Sequence, residues 1–205
     1  MNTQTHPPAP PTTGAELQTL REACSMTRDD LAALADVQAR TIKHWENGRA
    51  AVPGDVAALM RDIDAAVDKA AWAEYDALRA AWVPGALAVL VRYKTAHDLR
   101  EAIAATIPAH RHRGHYAPEL WVCVPFCAAG AVAMRAAMMW RHTMQAEGGT
   151  MAALQLPHVV WFDAEHFAQW RAVHNQPDIE ATRMAWARHA VGVQATPRPV
   201  EPLAS

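Results

Sequence analysis

Arg40 and His44 stand four residues apart in the stretch QARTIKHWENGR, the interval that puts two side chains on one face of a helix. Ile42 and Trp45, three apart, share a different face that must pack inward, which leaves Arg40 and His44 free to reach outward. An arginine fork can grip O6 and N7 of guanine bidentately. Imidazole can donate to a base or to a phosphate, and it loses charge as pH rises. Arg28, Lys43 and Arg49 are nearby in the chain. Cations of this kind hold phosphate, which sets register rather than sequence preference, and each is also readable as part of a solvated charged face.

A second group of chemistry-bearing residues is His110, His112 and His115 in HRHRGH, followed by Cys123 and Cys127. Imidazole and thiolate are preferred zinc ligands, but the cysteines are spaced Cys-x3-Cys in an apolar run and the histidines follow no finger pattern. The reading is therefore a polar loop followed by buried cysteines acting as small hydrophobes, with no metal expected. Arg111 and Arg113 with Tyr116 offer another possibility, a single-strand RNA contact in which cations hold phosphate and the ring stacks on a base. No phosphate-binding glycine loop, nucleophile elbow or HExxH is present. Nothing in the sequence visibly activates a pair made from Cys123 or Cys127 and a histidine. The chain is expected to be a non-enzyme without a cofactor.

The elements that must position Arg40 and His44 are short helices. Thr27 and Asp30 have the form of a capping box, opening a helix that carries Leu31, Ala32 and Leu34. Asp36 and Val37 form a turn, a new helix starts near Gln38, and Gly48 ends it. Upstream, Thr13 and Glu16 form a second capping box and start a helix with Leu17, Leu20 and Cys24 at helical spacing. Downstream, Val52-Pro53-Gly54-Asp55 opens a helix whose Val56, Leu59 and Ile63 make one apolar stripe. No further glycine or proline occurs until Pro84, so this helix is expected to continue as one rod, without a clean heptad.

This arrangement resembles the helix-turn-helix of the Cro/repressor (Xre-type) family. The residues that carry the resemblance are Thr27, Leu31, Ala32, Val37, Ile42 and the run Trp45-Glu46-Asn47-Gly48-Arg49. In the register of that family Gln38, Ala39, Arg40 and His44 face bases. Gln38 can read adenine or cap the helix, and Ala39 can touch only a thymine methyl. Arg28, Lys43 and Arg49 are the phosphate candidates. The resemblance also implies a partly buried ion pair between Arg21 and Glu46, joining the first and third helices. The order of TGAELQTLREA, WENGR, VPGDV and VLVRY further resembles the anti-CRISPR-associated autorepressors and related bacterial and phage regulators. That likeness implies a homodimer on an inverted repeat in the protein's own promoter, with some relatives also binding their own mRNA.

Composition sets outer bounds. The 205 residues, 51% hydrophobic, suffice for one or two domains. The net charge of −2 provides no global polycation, and residues 13–66 alone hold six Lys/Arg against nine Asp/Glu, an unusual balance for a nucleic-acid-binding domain. Three cysteines do not make a secreted disulfide framework. There is no signal-peptide pattern and no apolar run long enough to span a membrane, so a cytoplasmic location is expected.

Beyond Pro84 the character changes to mixed α/β. Strands are expected at 86–93, 121–126 and 158–163, and helices at 95–107 and 128–147. Two terminal amphipathic helices follow in DAEHFAQWRAVHN and IEATRMAWARHA. Met134, Met138, Met139 and Met144 on the 128–147 helix read as core filling. The expected organisation is thus a disordered tail at 1–12, a lambda-repressor-like helical domain at 13–66 and a helical connector at 67–83. An α/β dimerisation domain at 84–190 and a second tail at 191–205 complete it. The chain is expected to be mainly α. An antitoxin-like regulator, whose C-terminal domain binds a partner protein, is the alternative reading.

Overall fold

A computed structural model describes residues 12–83, 86–99, 126–148, 155–178 and 180–192. The chain is mainly helical, with a helix-turn-helix region at its N-terminal end and a small C-terminal part that holds a two-stranded sheet and helices. Contacts divide the described residues into two units: 12–70 with 126–132, and the remainder from 71 onward.

In the first unit, α1 (Gly14–Ala23), α2 (Arg28–Leu34) and α3 (Ala39–Glu46) follow one another closely, and α4 (Gly54–Ala81) supplies its residues up to 70. Both capping boxes form. The backbone N–H of Thr13 donates to the Glu16 carboxylate at 2.6 Å and that of Glu16 to Thr13 Oγ1 at 3.2 Å. At α2 the corresponding bonds between Thr27 and Asp30 are 2.7 and 3.1 Å. Two N–H groups that would otherwise lack partners are satisfied at each helix start.

The same device ends all three helices. Ser25, Asp36 and Gly48 adopt left-handed φ values of 57°, 51° and 69°. In each case the next residue's N–H bonds back to the last turn: Met26 to Arg21 O at 3.0 Å, Val37 to Ala32 O at 2.9 Å, Arg49 to His44 O at 2.9 Å. These are Schellman turns, which reverse the chain within two residues. Only one of the three uses glycine.

The core of this unit is built from Leu17, Cys24, Leu31, Ile42, Trp45 and Met60, all buried. Ile42 and Trp45 do pack inward. On α4 the stripe differs from the expected one: Val56, Met60, Ile63 and Val67 are buried, while Leu59 is only half-buried. Steps of three and four residues are both helical, and Met60 rather than Leu59 continues the row from Val56 through Ile63. The expected rod is observed, since α4 runs unbroken for 28 residues.

Gly14 sets how closely α1 approaches α3. A Cβ there would overlap the carbonyl oxygen of Trp45 and sit 2.6 Å from that of Glu46.

The second unit pairs β1 (Val89–Arg92) in parallel with β2 (His158–Trp161), with Val91 opposite Val160. Helix α5 (Ala129–Ala146) contributes its residues from 133 to this unit, and α6 (Ala164–His174) and α7 (Glu180–Ala190) complete it. Helix α7 packs on β1. An aromatic cluster lies beside the sheet, in which Phe162 contacts Tyr93, Phe167 and Trp186 at centroid separations of 5.2–5.6 Å. Such tilted and edge-on pairs add to the area they bury. Tyr75 donates to Thr143 Oγ1 at 2.8 Å and Arg79 pairs with Glu147 at 2.8 Å, which ties α4 to α5.

The α5 methionines depart from expectation. Met144 is buried, but Met134 is 58% exposed and Met138 41% exposed. The buried residues of α5 are Ala131, Val132, Ala136, Ala137, Trp140 and Met144, with Met139 half-buried, so the interior face is filled mainly by small side chains and one indole. Nearly all of both expected tails, the 121–126 strand up to residue 125 and residues 100–107 of the expected 95–107 helix lie outside the described residues.

Because a Cβ at Gly14 has only backbone to move, Gly14→Ala is expected to destabilise the first unit by about 1–3 kcal/mol. Denaturant unfolding of this variant beside the wild-type protein, with equal slopes, checks it.

Candidate nucleic-acid interface

Helix α3 presents three kinds of side chain. Ile42, Trp45 and Glu46 are buried, Arg40 and Lys43 are exposed, and Ala39 and His44 lie between. The exposed side opens on a hollow of about 840 Å³ lined by Arg21, Glu22, Thr27, Arg28, Asp29, Ala39, Arg40, Lys43, His44 and Arg49. The start of α2 and the outer face of α3 therefore share one concave surface. Gln38 does not line it. It is the N-cap residue of α3, and its side chain makes no capping hydrogen bond.

Behind the hollow lies a buried carboxylate. Arg21 donates from Nε to Glu46 Oε1 at 2.6 Å, and Arg28 from Nε to Glu46 Oε2 at 2.6 Å. The side chain of Glu46 is 0% exposed and that of Arg21 is 7%. Arg21 also donates from Nη1 to the carbonyl of Met26 at 2.7 Å, so one guanidinium joins α1, the α1–α2 turn and α3. Burial by itself pushes the Glu46 carboxyl upward, but hydrogen bonds and charge from Arg21 and Arg28 outweigh it and hold the group below its ordinary value of 4.5.

The ion-pairing of Arg28 was not visible in the sequence, where Arg28 reads only as a phosphate candidate. Its position at the first residue of α2 gives no sign that it will reach Glu46, eighteen residues away.

Charge is segregated despite the acidic balance of residues 13–66. Of the six Lys/Arg in that span, five line the hollow, while of the nine Asp/Glu only Glu22 and Asp29 do so. Among the described residues, the side chains of Arg40, Lys43, His44 and Arg49 have no hydrogen-bond or ion-pair partner. Cations gathered in a concavity and not neutralised by the protein leave a local positive field for an anionic polymer, whatever the domain's net charge.

Of the five candidate zinc ligands, His110, His112, His115 and Cys123 lie outside the described residues, as do Arg111, Arg113 and Tyr116. Cys127 is half-buried, and burial, reinforced by the charge of Asp30, pushes its thiol above the ordinary value of 9.0. That shift works against the thiolate form a metal or a nucleophile needs. Among the described residues no three His, Cys, Asp or Glu side chains gather as a metal site. No described helix is long and apolar enough to cross a membrane.

Residues 13–72 match a family model described as a helix-turn-helix domain. No curated protein matches the chain. The matched segment contains α1 to α3 and the first part of α4, and it carries the hollow. A helix-turn-helix domain with a partnerless cationic face on its third helix suggests a DNA-binding regulator.

Glu46 is the residue on which this face rests. Removing it strands two guanidiniums, one of them buried, and Glu46→Ala is expected to cost about 3–5 kcal/mol. An unchanged melting temperature would contradict the pairing. The pH dependence has a definite sign: because the folded carboxyl titrates below its unfolded value, its stabilisation is complete above the unfolded value and is lost as pH falls through the folded one. Thermal melts of the wild type are therefore expected to decline on acidification below about pH 5, and those of Glu46→Gln to start lower and decline less steeply.

Proposed function

We propose that this protein is a sequence-specific DNA-binding transcriptional repressor, acting as a homodimer on an inverted repeat, most simply in its own promoter. The observation that carries the reading is the hollow on α3, where Arg40, Lys43, His44 and Arg49 face outward without protein partners in a helix-turn-helix domain. Arg40 reads a guanine through its fork, Ala39 touches a thymine methyl, and His44 donates to a base or a phosphate. Gln38, at the start of α3 with its amide unused in capping, reads adenine. Lys43, Arg49 and Arg28 hold backbone phosphates.

One head whose hollow is lined by four basic side chains without protein partners and by two acids is expected to bind modestly. Two heads on one palindrome, with half-sites about one helical turn apart, convert the second contact into an intramolecular one. In this reading the C-terminal unit supplies the pairing surface. Binding of the protein's own mRNA, or of a partner protein as in antitoxins, would be additional activities of that unit.

A titration on the DNA upstream of the protein's own coding sequence tests the reading, with Arg40→Ala beside the wild type across a salt series. Wild type is expected to bind saturably and selectively. Arg40→Ala is expected to lose roughly 1–3 kcal/mol of discrimination at one base pair while remaining folded. No preference over random DNA at any salt concentration would overturn the repressor reading.

A further inference from the structure

We infer that Glu46 is a positioning residue for DNA binding, acting through Arg28, whose guanidinium it holds by Nε with the remaining edge available to a backbone phosphate at the rim of the hollow. The inference rests on the DNA reading of the same face and adds a role that the register of the helices does not suggest. Three observations carry it. The two ends of the contact differ in environment, since the Glu46 side chain is 0% exposed and that of Arg28 41%. The contact engages Nε alone, at 2.6 Å from Oε2, and among the described residues the two Nη nitrogens have no partner. Arg28 also lines the same concavity as Arg40, Lys43 and Arg49, so its outward edge belongs to the cationic face and not to an isolated surface pair.

The physical consequence follows from the shape of the guanidinium. It is a planar fork with donors on two edges, so one edge can bond a buried carboxylate while the other bonds an anion outside. An unanchored surface arginine must lose rotamer freedom when it grips phosphate. Here that freedom is given up on folding, and DNA meets a side chain already oriented. A lysine at 28 keeps the charge but has a single nitrogen, which can lie against Glu46 or reach the rim but not both. Glu46 thus has two separable tasks. Through Arg21 it joins the helices, and through Arg28 it aims a phosphate contact.

Arg28→Lys and Arg28→Ala both keep the buried Arg21–Glu46 pair, and Arg28→Ala, which leaves Glu46 Oε2 without its cation, is expected to melt lower than Arg28→Lys. Each variant is measured on the full chain for melting temperature and for binding to a random-sequence duplex and to the upstream duplex, across salt, at a temperature where all are folded. Arg28→Lys is expected to weaken binding to both duplexes by about tenfold, the loss of one charge-assisted hydrogen bond, with selectivity between them unchanged. Arg28→Ala is expected to weaken both at least as much and to make the salt slope shallower by about one. Wild-type affinity for Arg28→Lys would overturn the inference, because charge alone would then suffice. Wild-type affinity for Arg28→Ala would overturn it by removing the phosphate contact. Failure of the wild-type protein to bind either duplex is a different result, and it sinks the DNA reading itself.

Discussion

The helix-turn-helix region depends on one carboxylate placed where water does not reach it. A glutamate with no exposed side-chain area is costly unless both oxygens are occupied, and in this protein a separate guanidinium occupies each. Those guanidiniums come from α1 and α2, while the carboxylate comes from the last residue of α3. Loss of either guanidinium would leave one oxygen of the buried carboxylate without its partner, and loss of the carboxylate would strand the buried Arg21. The apolar core of Leu17, Leu31, Ile42 and Trp45 brings the helices together, but apolar contact is tolerant of small rotations. The hydrogen-bonded carboxylate is not, and it fixes the rotation of α3 that turns Arg40, Lys43 and His44 outward.

The same constraint explains how an acidic domain carries a cationic face. Burying Glu46 withdraws one negative charge from the surface beneath the hollow, and the capping carboxylates Glu16 and Asp30 are held at helix starts. Those acids serve folding, where N-terminal helix ends favour negative charge. The unpartnered cations of α3 remain. Net charge is therefore a poor guide to the local field of this domain, and the rim acids Glu22 and Asp29 keep that field moderate.

Much of the N-terminal unit was legible in the sequence, since short-range chemistry governs it. Thr13 and Thr27 announce helix starts three residues ahead of an acid, Gly48 announces a helix end, and Ile42 with Trp45 announces a buried face. The features that local sequence does not encode depend on tertiary approach or on conformations that any residue can be made to adopt. Ser25 takes the left-handed turn position that glycine usually marks, so the end of α1 lacks the usual signal, whereas the turn at Asp36 and Val37 was expected and only its left-handed φ was not. Gly14 looks like an ordinary first helical residue until the carbonyls of Trp45 and Glu46 are seen against it. The tie from Arg28 to Glu46 spans elements, and no local spacing encodes it. In the C-terminal unit helices α5 to α7 and two strands were readable from pattern, but the choice of buried side chains was not. Methionine and tryptophan can both fill a helix face, and on α5 the indole of Trp140 occupies the interior while Met134 remains outside.

The most direct test of DNA recognition by this face is amide hydrogen exchange of the full chain, free and saturated with its upstream duplex. The expected result is slowed exchange concentrated in residues 27–49, from the start of α2 through Arg49, with α6 and α7 exchanging as in the free protein. Protection by the duplex confined to the C-terminal unit, with 27–49 unaffected, would contradict it.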